Sequence, residues 1–364
     1  MKMTHNDIYT MIIGTGSYIP TRQIDNNDFL GNEFYQPDGK LFGKTSKEII
    51  EKFEEITDIR ERKYVTDDLV TSEISYFAAK EALESSGADL ESLDYIVVAH
   101  NFGDVKEDNR RSDFVPSLAA RVKKKLGIEN PKTIAYDVAF GCPGWIQCMI
   151  QCDYFIKSGH AKRALVIGAE TLSRISDPHD RDSMLYADGA GAVIIEAKKS
   201  EEPVGILSHA MRSDTLEYAY MLQMGKSNNP GYTGSELFLK MNGHKLYEYA
   251  LKTVPQVVEE SLEKAGLTLP DVNKVLLHQA NSKMDWAILQ RLFKLYGIKE
   301  IPPNIMPMNI STFGNSSVAT LPTLLDMLVN GKLEDQELQQ GDVVVFASVG
   351  AGMNINSLIY RMPD

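Results

Sequence analysis

The chain is predicted to be an α/β protein made of two duplicated halves. Three observations carry that prediction: Val- and Ile-rich runs alternate with segments of helical spacing, the sequence repeats itself at two successive offsets, and a charged stretch separates the copies. Runs of this kind, without polar alternation, read as strands of largely buried sheets. They are Tyr9 to Ile13, Tyr95 to Ala99, Leu165 to Gly168, Ala192 to Ile195, Val275 to Leu277 and Val343 to Phe346. Apolar residues at Ile74, Phe77, Ala78 and Ala82, ending near Ser85, give one amphipathic helix. Leu246, Ala250, Val254, Val257, Leu262 and Ala265 give another.

The repeat sharpens this picture. At an offset of 179 positions, Glu81-Ala82-Leu83-Glu84 falls on Glu260-Ser261-Leu262-Glu263, Gly87 on Gly266, and Val97-Val98 on Leu276-Leu277. Each copy reads helix, Gly stop, short polar loop, buried strand. At an offset of 173, residues 133–156 fall on 306–329, placing Phe140-Gly141 on Phe313-Gly314 and Asp153 on Asp326. Both segments read strand, Gly turn, amphipathic helix. Two matches in the same order indicate a duplicated fold, with halves 1–199 and 200–364 joined by the surface crossing Lys198-Lys199-Ser200-Glu201-Glu202-Pro203. Gly31 to Lys47 and Asp104 to Asp113 lack counterparts and read as insertions that shape a mouth or an interface.

Composition narrows the function. Apolar residues make up 43% and charged residues 24%, the balance of an ordinary globular protein. A net charge of −12 repels phosphates and anionic headgroups, so nucleic acid and membrane surfaces are not expected as partners. No uncharged apolar run approaches the ~20 residues of a bilayer span. The start Met1 to Asp7 lacks a signal-peptide core, and three Cys make no disulfide framework, so a cytoplasmic location is expected.

The duplication places Cys142 and Asn315 at equivalent positions, each after Phe-Gly and opening a helix. A thiol there lies at the positive end of the helix dipole, which favours thiolate, and Pro143 suits the first helical position. Alone, Cys142 also fits a small buried apolar residue, the reading given to Cys148 and Cys152 four apart on one helix face. His278 follows a buried strand, where chemistry is placed in α/β folds; alone, it fits a structural His equally well. Cys142, His278 and Asn315 together supply a nucleophile, an imidazole and an amide, a coherent acyl-transfer set. Gly350-Ala351-Gly352 reads either as a tight turn or as a backbone N–H aimed at an oxyanion. Asp188-Gly189-Ala190-Gly191-Ala192 reads as backbone packing beside the site. Gly14-Thr15-Gly16 lacks the third glycine of a dinucleotide fingerprint, and Asp177-Pro178-His179-Asp180 reads as a solvated loop rather than a metal site.

These residues resemble the β-ketoacyl-[acyl-carrier-protein] synthase III family of thiolase-like condensing enzymes over nearly the whole chain. The motifs are Ile56-Thr57-Asp58-Ile59-Arg60-Glu61-Arg62, Gly141-Cys142-Pro143-Gly144-Trp145, Gly168-Ala169-Glu170-Thr171-Leu172-Ser173-Arg174, Ala187 to Ala192, His278-Gln279-Ala280-Asn281 and Gly314-Asn315-Ser316-Ser317. The resemblance implies a five-layered αβαβα fold, a homodimer and no cofactor beyond thioester substrates. It also implies the triad Cys142, His278 and Asn315, an oxyanion hole from the N–H groups of Cys142 and Ala351, and a malonyl thioester as extender. Arg174, Gly243 and His244 match positions lining the pantetheine channel.

The sequence departs from the family where an aromatic residue and an Arg clamp the CoA adenine, since Lys52 and Ile56 stand there. Pro143 and the insertion before Pro116-Ser117 depart too. A specialised ketosynthase or acyltransferase with a longer or unusual acyl donor is therefore the alternative, and a non-catalytic partner subunit a minor one. The donor is carried by CoA or an acyl carrier protein. With no long-range attraction to an acidic carrier, docking would need a local basic patch, for which Lys283, Arg291 and Lys294 are the candidates.

Overall fold

The computed structural model describes residues 8–363, so Met1 to Asp7 of the expected cytoplasmic start lie outside the described residues. Two sheets carry the architecture. The first holds β1 (Ile8–Tyr18), β2 (Tyr95–Ala99), β3 (Ile134–Val138), β4 (Arg163–Thr171) and β5 (Asp188–Lys199), in the order β1-β5-β4-β2-β3. The second holds β6 (Gly205–Ser213), β7 (Lys274–Leu277), β8 (Val343–Gly350) and β9 (Asn354–Arg361), in the order β7-β8-β9-β6. Within the first, β2 runs parallel to β3 and β4, while β5 is antiparallel to both β4 and β1. The second repeats the pattern, with β7 parallel to β8 and β9 antiparallel to β8 and β6.

The six strands expected from apolar runs are all present, several of them longer than those runs. Backbone pairing continues past the buried stretch: β5 extends to Lys199 against Ile8, and β1 carries through Gly14-Thr15-Gly16, where helix α2 (Thr71–Ser86) packs on the strand. One expected strand is missing. Ile305 accepts a hydrogen bond from Val275 N (2.8 Å), yet the run from Met306 that matches β3 is irregular up to Asn309 and then turns helical at Ile310, so the second sheet has four strands.

Alternate side chains along each strand face different layers, the period-2 geometry of a sheet buried on both sides. Ile96 and Val98 pack with α2 and α3 (Leu118–Leu126) on the outer face. Val97 and Ala99 face inward, with Trp145, Ile146 and Met149 of α4 (Gly144–Lys157). Leu276, Val344 and Phe346 of the second sheet join the same inner core, as do Leu324 and Leu328, from the helix paired with α4 in the repeat. Val275, Leu277 and Val345 face outward against α5 (Gly243–Lys264) and α6 (Ser282–Leu295). Counted through the molecule, the layers are αβαβα, with α4 and α7 (Thr320–Val329) between the sheets.

The two acids aligned by the repeat show the same logic. Asp326, fully buried on α7, accepts from Thr15 Oγ1 and Ser17 Oγ of β1, both at 2.7 Å, and pairs with Lys332 at 3.1 Å. Asp153 on α4 pairs with Lys157 at 2.9 Å, whose ammonium also reaches the Ile206 carbonyl of β6. Each central helix thus ties to the edge strand of the opposite half.

Both insertions are anchored. Phe34, at the heart of Gly31 to Lys47, is buried, and an Asp104–Asp113 bridge closes the other. The segment at Asp177 to Asp180 corrects an expectation. It is no solvated loop: Asp177 is buried and accepts from Ser227 Oγ (2.9 Å) and Asn228 N (2.7 Å), while Lys240 Nζ bridges Asp177 (2.6 Å) and Asp180 (2.9 Å). The ammonium fills the place a cation would take. Among the described residues no cluster of His, Cys, Asp and Glu could hold a metal, and no helix is long and apolar enough to cross a membrane.

Candidate active site

The parallel strands β2, β3, β4, β7 and β8 deliver their carboxyl ends to one region, the usual place for chemistry in open α/β sheets. Past β3 the chain turns through Gly141, at φ +65°, into Cys142 and α4. A Cβ at Gly141 would lie 2.7 Å from Ala351 N, and one at Gly350 would lie 2.5 Å from Cys142 N. Only glycine admits that approach. The 141–142 turn of one half and the 350–351 turn of the other are therefore pressed together, bringing the backbone N–H groups of Cys142 and Ala351 into one neighbourhood. Pro143, expected at the first helical position, sits instead at the N-cap, one residue before the helix begins at Gly144, and its carbonyl accepts from Gln147 N (2.9 Å).

Asn315 is held against the 185–187 segment of the first half: its N–H donates to Leu185 O (2.9 Å) and its carbonyl accepts from Ala187 N (2.8 Å). The side-chain Oδ1 accepts from Ser317 N (2.8 Å), which leaves the amide NH2 without a partner among the described residues. Ser317 is bent into the left-handed region at φ +54°, a strained conformation for a residue with a Cβ. Bent that way, its hydroxyl donates to Cys142 Sγ at 3.3 Å.

His278 follows β7, its N–H donating to Ala347 O (2.8 Å) of β8. The ring is buried, and Nδ1 has no hydrogen-bond partner among the described residues. Burial drives its pKa down to about 4, so the imidazole is neutral at pH 7 and can donate a hydrogen bond without carrying charge. Burial pushes the Cys142 thiol up to about 11, with the Ser317 hydrogen bond opposing and the Glu170 carboxylate adding to the rise. The free protein therefore holds a thiol. The thiolate expected from the helix dipole is outweighed by desolvation.

Several contributing residues escaped the sequence. Gln279, fully buried, accepts from Asn309 N and Ile310 N (both 3.0 Å) and donates to Pro307 O (3.0 Å), clamping the segment that leads to Asn315. Its place in the His-Gln-Ala-Asn string was the available signal. Arg62 is buried over the Phe29 and Phe53 rings and donates to Met184 O (3.1 Å), steadying the turn that leads into the 185–187 segment beside Asn315. Asn281 caps α6 by accepting from Met284 N (3.1 Å). Asp188 accepts from Ser173 N and Oγ and from Val65 N, so its string is structural, as expected.

Arg174 is one of the three residues expected along the channel. Its guanidinium is buried beneath the 104–113 insertion, ion-paired with the partly exposed Glu107, and it donates to Thr66 O (3.0 Å). Gly243 and His244 open α5 with the His244 ring exposed, 3.8 Å from Glu248. Lys283, Arg291 and Lys294 are all exposed on α6, and Lys283 lies 4.0 Å from Glu55.

Two duplicated α/β halves that close on a cysteine at a helix start make the fold of thiolase-like condensing enzymes, which transfer acyl groups. Residues 136–215 match the 3-oxoacyl-[acyl-carrier-protein] synthase III family, and residues 262–362 match its C-terminal domain. The chain belongs to that family, and its activity is that of a synthase III-type condensing enzyme. It is similar to the crystal structure of 3-oxoacyl-[acyl-carrier-protein] synthase III from Aquifex aeolicus, with 29% identity, coverage of 97% of this chain and 99% of that one, and a TM-score of 0.78. The Thermus thermophilus enzyme matches at 28% identity over 96% and 98%, TM-score 0.77. That of Pseudomonas aeruginosa matches at 25% over 98% and 99%, TM-score 0.79.

Proposed function

We propose that Cys142 is the acyl-accepting nucleophile and that His278 and Asn315 serve the condensation half of the reaction. The observation that carries this assignment is the Ser317–Cys142 hydrogen bond, which brings the Asn315 turn of one half against the thiol of the other. In the first step the sulfur adds to a donor thioester and the donor's thiol leaves with the proton. The N–H groups of Cys142 and Ala351 receive the oxyanion. A malonyl thioester then loses CO2, and the electrons of the broken C–C bond form an enolate. The neutral imidazole of His278 and the free NH2 of Asn315 donate to its thioester oxygen. The carbanion attacks the acyl group on Cys142, the C–S bond breaks, and a β-ketoacyl thioester leaves with the Cys142 thiolate taking up a proton from solvent to restore the thiol. Residues 1–199 supply the nucleophile and 200–364 the His and Asn, so neither half would work alone.

Cys142→Ala should abolish acyl-enzyme formation, read by mass spectrometry after incubation with acyl thioesters. Acylation of that variant at the wild-type level would overturn the assignment.

A second reading concerns the donor. Lys52, at the position the family gives to an aromatic clamp, is ion-paired with Glu55 at 2.8 Å, and Glu55 lies 4.0 Å from Lys283. That network offers no ring to stack an adenine, which favours a donor held by an acyl carrier protein, or a longer acyl chain, over short acyl-CoA. A panel of acyl-CoA and acyl-carrier thioesters of rising length, ranked by acylation rate of Cys142, tests this. Lys283, Arg291 and Lys294 would receive the carrier, and Lys283→Glu with Arg291→Glu should raise its KM. The working form is proposed to be a homodimer, to be checked by light scattering.

A further inference from the structure

Glu170 sits near the end of β4 with no solvent exposure, and nothing in the proposed reaction uses it. Its Oε2 accepts two hydrogen bonds from Asn101, one from the side-chain NH2 (2.8 Å) and one from the backbone N–H (3.1 Å). Asn101, just past β2, in turn accepts at Oδ1 from Gly141 N–H (2.9 Å). Gly141 is the residue whose left-handed turn presses against Ala351 and places Cys142. The other carboxylate oxygen, Oε1, is buried with no partner among the described residues. A buried carboxylate with a vacant oxygen costs stability, and two accepted bonds do not offset it, as expected of a group kept for function.

We infer that Glu170 is a positioning residue for the nucleophile: through Asn101 it holds the Gly141 turn, and its charge opposes ionisation of the Cys142 thiol. This inference rests on the assignment of Cys142 as nucleophile. The groups facing Glu170 are His100 at the end of β2, Asp188 on β5 and Cys142 itself. Against the carboxylate's high burial, the His100 imidazole and the Asn101 donors favour the charged form, while Asp188 disfavours it. His100 stays in place through Asp137, 3.0 Å from Nε2, and the Gly103 N–H, 3.0 Å from Nδ1. The net result is a carboxyl raised to about 7, so that Glu170 changes charge within the working pH range.

Glu170→Gln separates the two roles, because its carbonyl oxygen still accepts both Asn101 bonds while the charge is gone. The readout is the rate of Cys142 alkylation by iodoacetamide, followed on the Cys142 peptide; Cys148 and Cys152 are buried. The ratio of variant to wild-type rates should be near one at pH 6 and rise through pH 7 to at least about threefold at pH 8.5, which corresponds to a thiol pKa about half a unit lower. For the positioning role, Glu170→Ala and Asn101→Ala should each slow acylation of Cys142 by about tenfold or more with KM changed less than about twofold, and the double variant should be no slower than either alone. Glu170→Gln should recover most of that rate. A flat alkylation ratio, multiplicative losses, or both single variants acylating within twofold of wild type would overturn the inference. If wild-type Cys142 accepts no acyl group at all, the proposed function fails instead, and the alkylation ratio still decides the role of Glu170.

Discussion

Ser317 Oγ donates to Cys142 Sγ at 3.3 Å from a backbone held at φ +54°. The same turn hands the Ser317 backbone N–H to Asn315 Oδ1, so one strained residue contacts both the thiol and the amide. Ser317→Ala should remove the hydrogen bond that lowers the thiol pKa and slow Cys142 alkylation at pH 8 by about threefold, with the fold intact. Ser317→Gly should lose the same bond yet gain stability of up to about 1 kcal/mol from relief of backbone strain. Alkylation kinetics and urea unfolding of the pair test both statements.

Gly141→Ala puts a Cβ 2.7 Å from Ala351 N at a positive φ, so the two turns must separate. Acylation of Cys142 should fall by about a hundredfold, the scale of losing one oxyanion donor. The melting temperature should drop only modestly. A variant that acylates at the wild-type rate would show that the contact between the two turns is not needed.

Gln279→Leu removes three buried hydrogen bonds and leaves the Asn309 and Ile310 N–H groups unpaired. The expected cost is about 2–4 kcal/mol of stability. The catalytic loss should fall on condensation rather than on acylation, because the clamped segment leads to Asn315 and not to Cys142. Separate single-turnover measurements of the two half-reactions discriminate.

His278, driven down to about 4, is a base whose folded pKa lies below its ordinary 6.5. Its contribution to stability is complete above pH 6.5 and is lost as pH falls through 4, about 3 kcal/mol in all. NMR titration of the ring should show no protonation between pH 7 and 5. A midpoint near 6.5 would contradict a neutral hydrogen-bond donor.

Glu170 and Asp188 behave in the opposite sense. Burial raises their carboxyls to about 7 and about 6, so the stability they supply is present below their ordinary range near 4 and lost as pH rises to 7. Unfolding free energies at pH 5 and pH 8 should therefore differ less in Glu170→Gln than in wild type. An equal difference in both would place the titration elsewhere.

Much of this was readable from residue order. The repeat put Cys142 and Asn315 at equivalent helix-opening positions and aligned Asp153 with Asp326, because a duplicated backbone needs the same glycine turn and the same buried acid in each copy. The strand positions followed from apolar runs, since a sheet covered on both faces tolerates few polar side chains. The missing strand after Ile305 did have a signal: Pro307 falls where β3 has Ile134, and a proline cannot donate to a strand ladder.

The same division holds at the site. Sequence by itself determined the α/β class and pointed to a cysteine, an imidazole and an amide, because each is a residue type at a local signal: a helix start, a strand end or a Gly turn. Only the tertiary structure decided how they are held and charged. Arg174 paired with Glu107 of the 104–113 insertion, Lys240 closed the acidic corner at Asp177, and Glu170, Asn101 and Gly141 came into line from three separate strand ends. Those outcomes depend on contacts between residues tens of positions apart and on the removal of water. Desolvation raises a thiol or carboxyl and lowers an imidazole according to the shell around it, and that shell exists only once the chain has folded.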